Sequence, residues 1–448
     1  MTPETIYQKA KEADVRLVRF LYCDNGGTIR GKTTALSGLP ARLSDGIGMT
    51  VAMMAMNSLD QLQPLPGMGV VGEVRLLPDP ESFTLLHHTP HSAALMCDLV
   101  EQDRHSWAAC PRGFLKRMRA RAAGHGLHLR AALETEFTLA RQENERFVPF
   151  DRTLCYSSIG MEEAAPFSTE LVTALESQGL IVEQCYPQLG HGQHEITVRH
   201  TEALFAADNH LRLRETIRAV ARRHGLFASL APKPFPDQPG NGAHIHFSLW
   251  NSAGQNVFYD ADTPDSLSLT GRQFLAGVLA HLPALTALTC PSVNSYRRLR
   301  PQAWSSAFGS WGYENREAAL RVVSPFWSNA EGTINLELRA ADSSCNPYLA
   351  LGALLAAGLD GVTRQLSPGE PTAVDPSTLS EGERHARGLR RLPDQLDEAL
   401  DALEGDPALL EALGEPLAQA FLAVRRSEAR AFAEMDETEE YAQHFYKY

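Results

Sequence analysis

ALETEFTL, residues 132–139, alternates strictly: Glu134 and Glu136 fall on one side, and Leu133, Phe137 and Leu139 on the other. A period of two marks a strand with one apolar face. Three other segments repeat the pattern. QHEITVR (193–199) sets Glu195 against Ile196 and Val198. AHIHFSL (243–249) sets His244, His246 and Ser248 against Ile245, Phe247 and Leu249. INLELR (334–339) sets Glu337 and Arg339 against Ile334, Leu336 and Leu338. One such strand alone reads as the solvated outer face of a sheet. Four of them, with Glu, His and Arg on the polar sides, predict a sheet packed on helices whose polar faces converge on a concave, partly buried cavity. Unpaired carboxylates are costly there unless a cation neutralises them. Carboxylate oxygens with an imidazole suit Mg2+ or Mn2+ better than zinc.

The segment 294–323, NSYRRLRPQAWSSAFGSWGYENREAALRVV, then brings Arg297, Arg298, Arg300, Arg316 and Arg321 next to these strands in sequence, with Arg339 following. A lone arginine more often makes a surface ion pair. Guanidinium forks beside metal carboxylates suit an anionic substrate and a transferred phosphoryl group. The chemistry favours metal-dependent phosphoryl transfer, with metal-dependent hydrolysis as the weaker alternative.

Outward from this centre, residues 1 to about 100 read as a small β-rich domain. VRFLYCD and TIRGKTT flank the hairpin turn Asn25-Gly26-Gly27, and SAALMCDLV (92–100) is a further strand. At CPRGFLKRMRARAAGHG the pattern turns helical, with Pro at the start and Gly after the end, so domains are expected over 1–105 and 106–448. Helices are expected at 168–179 and 201–224, and the tail from about 346 is mostly helical. Gly26 to Thr33, GGTIRGKT, matches the phosphate-loop pattern letter for letter. That motif needs a long helix from its Lys, but Gly38 and Pro40 interrupt within two turns, and the hairpin already accounts for the glycines.

Composition bounds the function. The 448 residues carry 41 Lys+Arg against 54 Asp+Glu, a formal net charge of -13, and no long basic run, which argues against a nucleic-acid partner. The charged start lacks a signal-like apolar core, and the apolar run 347–359 is too short to span a bilayer. Seven scattered cysteines without a CxxC pair fit reduced thiols in a cytoplasm.

LETEF, GHGQHE, PKPFPDQPGNGAHIHFSL, NSYRRLRP, ENREAALRV and NLELRAADSSCNPYLALGALLAAGLDG together resemble the glutamine synthetase superfamily in order and spacing. The likeness covers nearly the whole chain and is weakest before residue 100. PKPFPDQPGNG and SWGYENREAALRV are similar to the branch that uses organic amines. The resemblance implies an α+β fold: a β-grasp-like N-terminal domain and a catalytic domain with a curved antiparallel sheet flanked by helices. Rings with active sites between neighbouring subunits are also implied. In the implied reaction ATP phosphorylates the γ-carboxylate of glutamate, and an amine then displaces phosphate to form a γ-glutamyl amide. Two or three Mg2+ or Mn2+ ions are implied, one held by Glu136 and Glu195, another by Glu134, His244 and Glu337. Glutamate binding is carried over to Arg298, Arg339 and Gly240, phosphate binding to Arg316 and Arg321, and the nucleotide side to His246 and Ser248.

Two positions depart from the family pattern. Where a third glutamate usually joins the first metal, this chain has Gln188, which can still ligate through its amide oxygen but supplies no charge. Where ammonia-using members carry a loop glutamate, this chain has Trp304, an apolar or cation-π wall suited to a larger amine. Nor is there a convincing counterpart of the family's ammonium-binding aspartate; Asp45 is not obviously equivalent. The leading expectation is a ligase for glutamate and an organic amine. The alternatives are a catalytically reduced structural or regulatory relative, which Gln188 motivates, and a true glutamine synthetase.

Overall fold

The computed structural model describes residues 1–144 and 146–448. Thr2 caps the opening helix Pro3–Glu12, after which the chain forms a β-grasp-like sheet. Strands Leu17–Cys23 and Ile29–Ala35 form a hairpin around Asn25-Gly26-Gly27, so Lys32 lies in a strand where a phosphate loop needs a helix. Gly27 takes φ +73, and a Cβ there would strike the Ser344 carbonyl. The buried strand Ser92–Val100 runs parallel to Leu17–Cys23 and antiparallel to Glu73–Pro78. Its apolar residues close a core with Ile6, Phe20, Leu39 and Leu76.

Helix Pro111–Gly124, capped by Cys110, leads into the second domain. Arg112 in its first turn is almost fully buried and binds Asp79 at 2.7 Å, Asp98 at 3.0 Å and Asp208 at 3.0 Å. It thereby ties the N-terminal sheet to the second domain.

That domain is built on a curved sheet, ten-stranded among the described residues and antiparallel except where Trp311–Tyr313 meets Leu320–Val323. Its long central strand Leu127–Glu143 holds ALETEFTL. The apolar sides of the four quoted strands are buried at Leu133, Phe137, Ile196, Ile245, Phe247, Leu336 and Leu338, with Val198 half-buried. Much of that face packs on the helices Ala203–Arg223, Leu269–Ala280 and Pro347–Thr363. The helix expected over 168–179 begins ten residues earlier and spans Ser158–Ser177, with Pro166 inside it. Burial of Phe167, Leu171 and Leu175 offsets the backbone bond that Pro166 cannot make. The other expected helix is Ala203–Arg223. Helices dominate from Pro347 onward, and among the described residues no helix is long and apolar enough to cross a membrane.

Candidate active site

Strand register assembles the polar face. Beside the central strand, His244 pairs with Glu134 and Glu195 with Glu136. One strand further out, Glu337 lies between His246 and Arg321. Directly opposed residues have Cβ atoms roughly 5 Å apart, so residues from five distant stretches of sequence meet on one surface.

Glu337 is fully buried at its centre. Its carboxylate accepts Arg321 Nη1 at 2.9 Å and also Arg339 Nη1. Burial opposes the charge, but Arg339, His246 and His244 hold its pKa down to about 2. Glu134 behaves alike: burial works against its charge, and the adjoining imidazoles of His244 and His246 bring it well below the usual carboxylate range. His244 Nδ1 lies 3.3 Å from Glu134 and 3.4 Å from Glu337, while Arg298 Nη2 donates to its Nε2 at 3.2 Å. Burial, then Arg339, lowers the His244 pKa and keeps the ring neutral.

The second imidazole reaches the same carboxylates. His246 Nδ1 lies 2.9 Å from Asn335 Oδ1, and the Asn335 amide nitrogen is engaged with the Thr333 carbonyl, so Nδ1 carries the proton. Nε2 faces Glu134, 3.5 Å away, and Glu337, 3.9 Å away; against burial these carboxylates raise the His246 pKa to about 9, so the metal-free ring carries a proton on Nε2 as well, one that a cation bound there would displace. Nε2 is buried with no hydrogen-bond partner among the described residues. Glu134, His246 and Glu337 each present a ligand atom within 4.8 Å of the others, a donor set that fits a divalent cation. His244 and His246 therefore both face the acid pair, although the resemblance puts His246 on the nucleotide side. With Glu134, Ser248, Phe326 and Asn335, His246 also lines a cavity of about 460 Å³.

On the other flank, Glu195 is 3% exposed and accepts both Tyr186 Oη and Gln188 Nε2. Burial, then the like charges of Glu134 and Glu136, push its pKa up to about 9. Glu136 accepts the Gly242 N–H at 2.5 Å. Gln188 turns its oxygen towards the Cys155 thiol at 3.8 Å. Tyr186 escaped the sequence reading, although it stands directly across the ladder from Glu195.

The arginines separate. Arg298, 4% exposed, donates to the Ala341 carbonyl at 3.1 Å and the Arg339 carbonyl at 3.4 Å. The glycine loop lies against it, and a Cβ on Gly240 would collide with the Arg298 stem and the Pro232 carbonyl. Arg321 also binds Glu314 at 2.9 Å, a carboxylate overlooked inside ENREAALRV. Arg339 Nη2 donates to the Trp304 carbonyl at 3.1 Å. Trp304 is 59% exposed. Arg316 is exposed and makes none of the ion pairs among the described residues. The result is a bipolar pocket, with a carboxylate-imidazole pole for cations adjoining guanidinium groups for anions.

The glutamine synthetase catalytic-domain profile matches residues 108–444, and the glutamine synthetase N-terminal-domain profile matches residues 1–107. Gamma-glutamylpolyamine synthetase GlnA3 of Streptomyces coelicolor is 38% identical over 431 residues, 95% of this chain and 92% of that protein. Glutamine synthetase of Halobacterium salinarum is 37% identical over 383 residues, 83% of this chain and 84% of that protein. The crystal structure of a novel glutamine synthase homolog, 35% identical, aligns with a TM-score of 0.87 over 97% of this chain and 99% of its own. The chain belongs to the glutamine synthetase family of ATP-dependent ligases.

Proposed function

We propose that the protein joins the γ-carboxylate of glutamate to an organic amine through a γ-glutamyl phosphate, using ATP. The γ-phosphoryl group passes from ATP to a carboxylate oxygen, leaving ADP. The amine nitrogen then attacks the carbonyl carbon, phosphate departs, and the nitrogen loses a proton. The observation that carries the choice of amine is Trp304: its backbone is seated on Arg339, and its exposed indole offers an apolar, cation-π surface to a bulky amine. Likeness to a gamma-glutamylpolyamine synthetase supports a polyamine among the candidates.

In this reading Arg298, Arg339 and Gly240 hold glutamate, and Arg316 and Arg321 meet the phosphoryl charge. His246 and Ser248 face the nucleotide. Two or three Mg2+ or Mn2+ ions, which lower the charge of the transferring phosphoryl group, would be held by Glu136, Glu195 and Gln188, and by Glu134, His244 and Glu337, with His246 in reach. A ring-shaped homo-oligomer with active sites between subunits and a cytoplasmic setting complete the proposal; seven free thiols fit that compartment.

The test is phosphate release from ATP with glutamate and Mg2+ or Mn2+, scanned across ammonia and alkyl, aryl and polyamines, with the product mass measured. Amine-dependent release with a γ-glutamyl amide is expected. Ammonia turning over as well as every organic amine would overturn the amine assignment. Gln188 supports a second reading, a catalytically reduced relative, because its amide donates to Glu195 where the family pattern has a third carboxylate. No release with any amine, together with failure to bind two ions on metal titration, would favour that reading.

A further inference from the structure

One carboxylate touches the site without belonging to either pole. Glu317 follows Arg316 between the strands Trp311–Tyr313 and Leu320–Val323. Its Oε1 accepts the Trp304 backbone N–H at 2.9 Å. The carbonyl of the same residue accepts Arg339 Nη2 at 3.1 Å. The Trp304 backbone is thus held on both sides, by a carboxylate from one segment and a guanidinium from another. Arg339 gives its other arm to Glu337, so a continuous polar chain runs from Glu317 through Trp304 and Arg339 to the buried centre.

The loop needs such a hold. Gln302, Trp304 and Ser306 have φ values of +58, +56 and +64, a left-handed conformation that residues with side chains keep only where their surroundings enforce it. Ser305 Oγ accepts the Arg300 N–H at 3.1 Å and donates to the Arg300 carbonyl at 3.0 Å, which ties one end of the loop. Ser306 Oγ donates to the Ala318 carbonyl at 3.0 Å and ties the other. Between these ties the half-exposed indole gives little packing, so the seat of Trp304 depends on its backbone partners.

The geometry points to Glu317 as a positioning residue that seats the 302–306 loop, and with it the Trp304 indole and the second arm of Arg339, on the amine side of the pocket. The inference rests on the reading that Trp304 lines the amine site. What the role requires at position 317 is a hydrogen-bond acceptor at the right reach, whatever its charge.

Three full-length variants test it. In Glu317→Gln the amide oxygen accepts the same N–H. In Glu317→Ala no acceptor remains, and in Glu317→Asp the charge is kept but withdrawn by one methylene. Glu317→Ala and Glu317→Asp are expected to raise the KM for the amine roughly tenfold with kcat within about threefold, while Glu317→Gln stays within about twofold of the parent. A second readout needs no turnover: acrylamide quenching of the Trp304 emission in ligand-free protein, taken as the difference from Trp304→Phe. Quenching is expected to rise in Glu317→Ala and Glu317→Asp but not in Glu317→Gln. Unchanged quenching in the Ala and Asp variants overturns the positioning role. So does a Gln variant as impaired in amine KM as Ala, which would mean that the negative charge itself binds the amine. A parent protein without ligase activity defeats the functional reading alone and leaves the quenching test standing.

Discussion

Arg339 links the buried centre of the site to its rim, since one arm holds the carboxylate of Glu337 and the other holds the loop at Trp304. Truncating it to alanine leaves Glu337 short of a donor and, in the proposed function, removes a guanidinium from glutamate and the transition state. Arg339→Ala is expected to lower kcat/KM by about a hundredfold or more, measured by phosphate release; unchanged kinetics would refute the assignment. Glu195 offers a pH test. With its pKa pushed up to about 9, the ligand-free carboxyl is largely protonated at neutral pH. If Glu195 ligates an ion as proposed, the ion needs the carboxylate, so binding releases a proton and apparent affinity for Mn2+ should rise as pH climbs towards about 9. Calorimetry in buffers of different ionisation enthalpy measures that proton directly. Gln188→Glu adds a carboxylate beside Glu195 and is expected to tighten Mn2+ binding, read from the same titrations.

Among the elements, the helices behind the sheet are joined by His281. Its Nδ1 lies 2.5 Å from Asp406 and its Nε2 3.1 Å from Asp360, bringing together helices Leu269–Ala280, Pro347–Thr363 and Pro407–Leu413. The hydrogen bond to Asp406 raises the His281 pKa against burial, and the bond to Asp360 adds to it. Because the folded value lies above the unfolded one, the stabilisation is fully present below the ordinary histidine pKa. It fades as pH rises through the folded value. His281→Asn should therefore cost about 1–3 kcal/mol in acid solution and less in alkaline solution, a trend that thermal melts across pH report. A cost independent of pH would show that the clamp is not ionic.

For the whole molecule, Arg112 is the tie between domains. It neutralises Asp79 and Asp98 of the N-terminal sheet together with fully buried Asp208 of the catalytic domain, whose Oδ1 also accepts Tyr348 Oη at 2.6 Å. Arg112→Met leaves Asp208 buried without its counter-charge, a change worth about 3–5 kcal/mol. It should lower the Tm markedly, and the double variant with Asp208→Asn should recover part of the loss. At the same scale the origin of the site divides cleanly. Alternation in ALETEFTL, QHEITVR, AHIHFSL and INLELR is a local property, because successive side chains on any strand point to opposite faces. The acid and imidazole faces, their buried apolar backs and the hairpin at Asn25-Gly26 were therefore legible in the sequence by itself, as was kinship to glutamine synthetases through the long motifs. Helix Ser158–Ser177 was only partly legible, since Pro166 reads locally as an interruption and only burial of its neighbours overrides it. The meeting of Glu134, His246 and Glu337, the grip of Tyr186 and Gln188 on Glu195, and the Glu317 hold on Trp304 join residues from separate strands and loops. Such contacts depend on register and burial across space, and so do the proton affinities they produce; only the tertiary structure decided them.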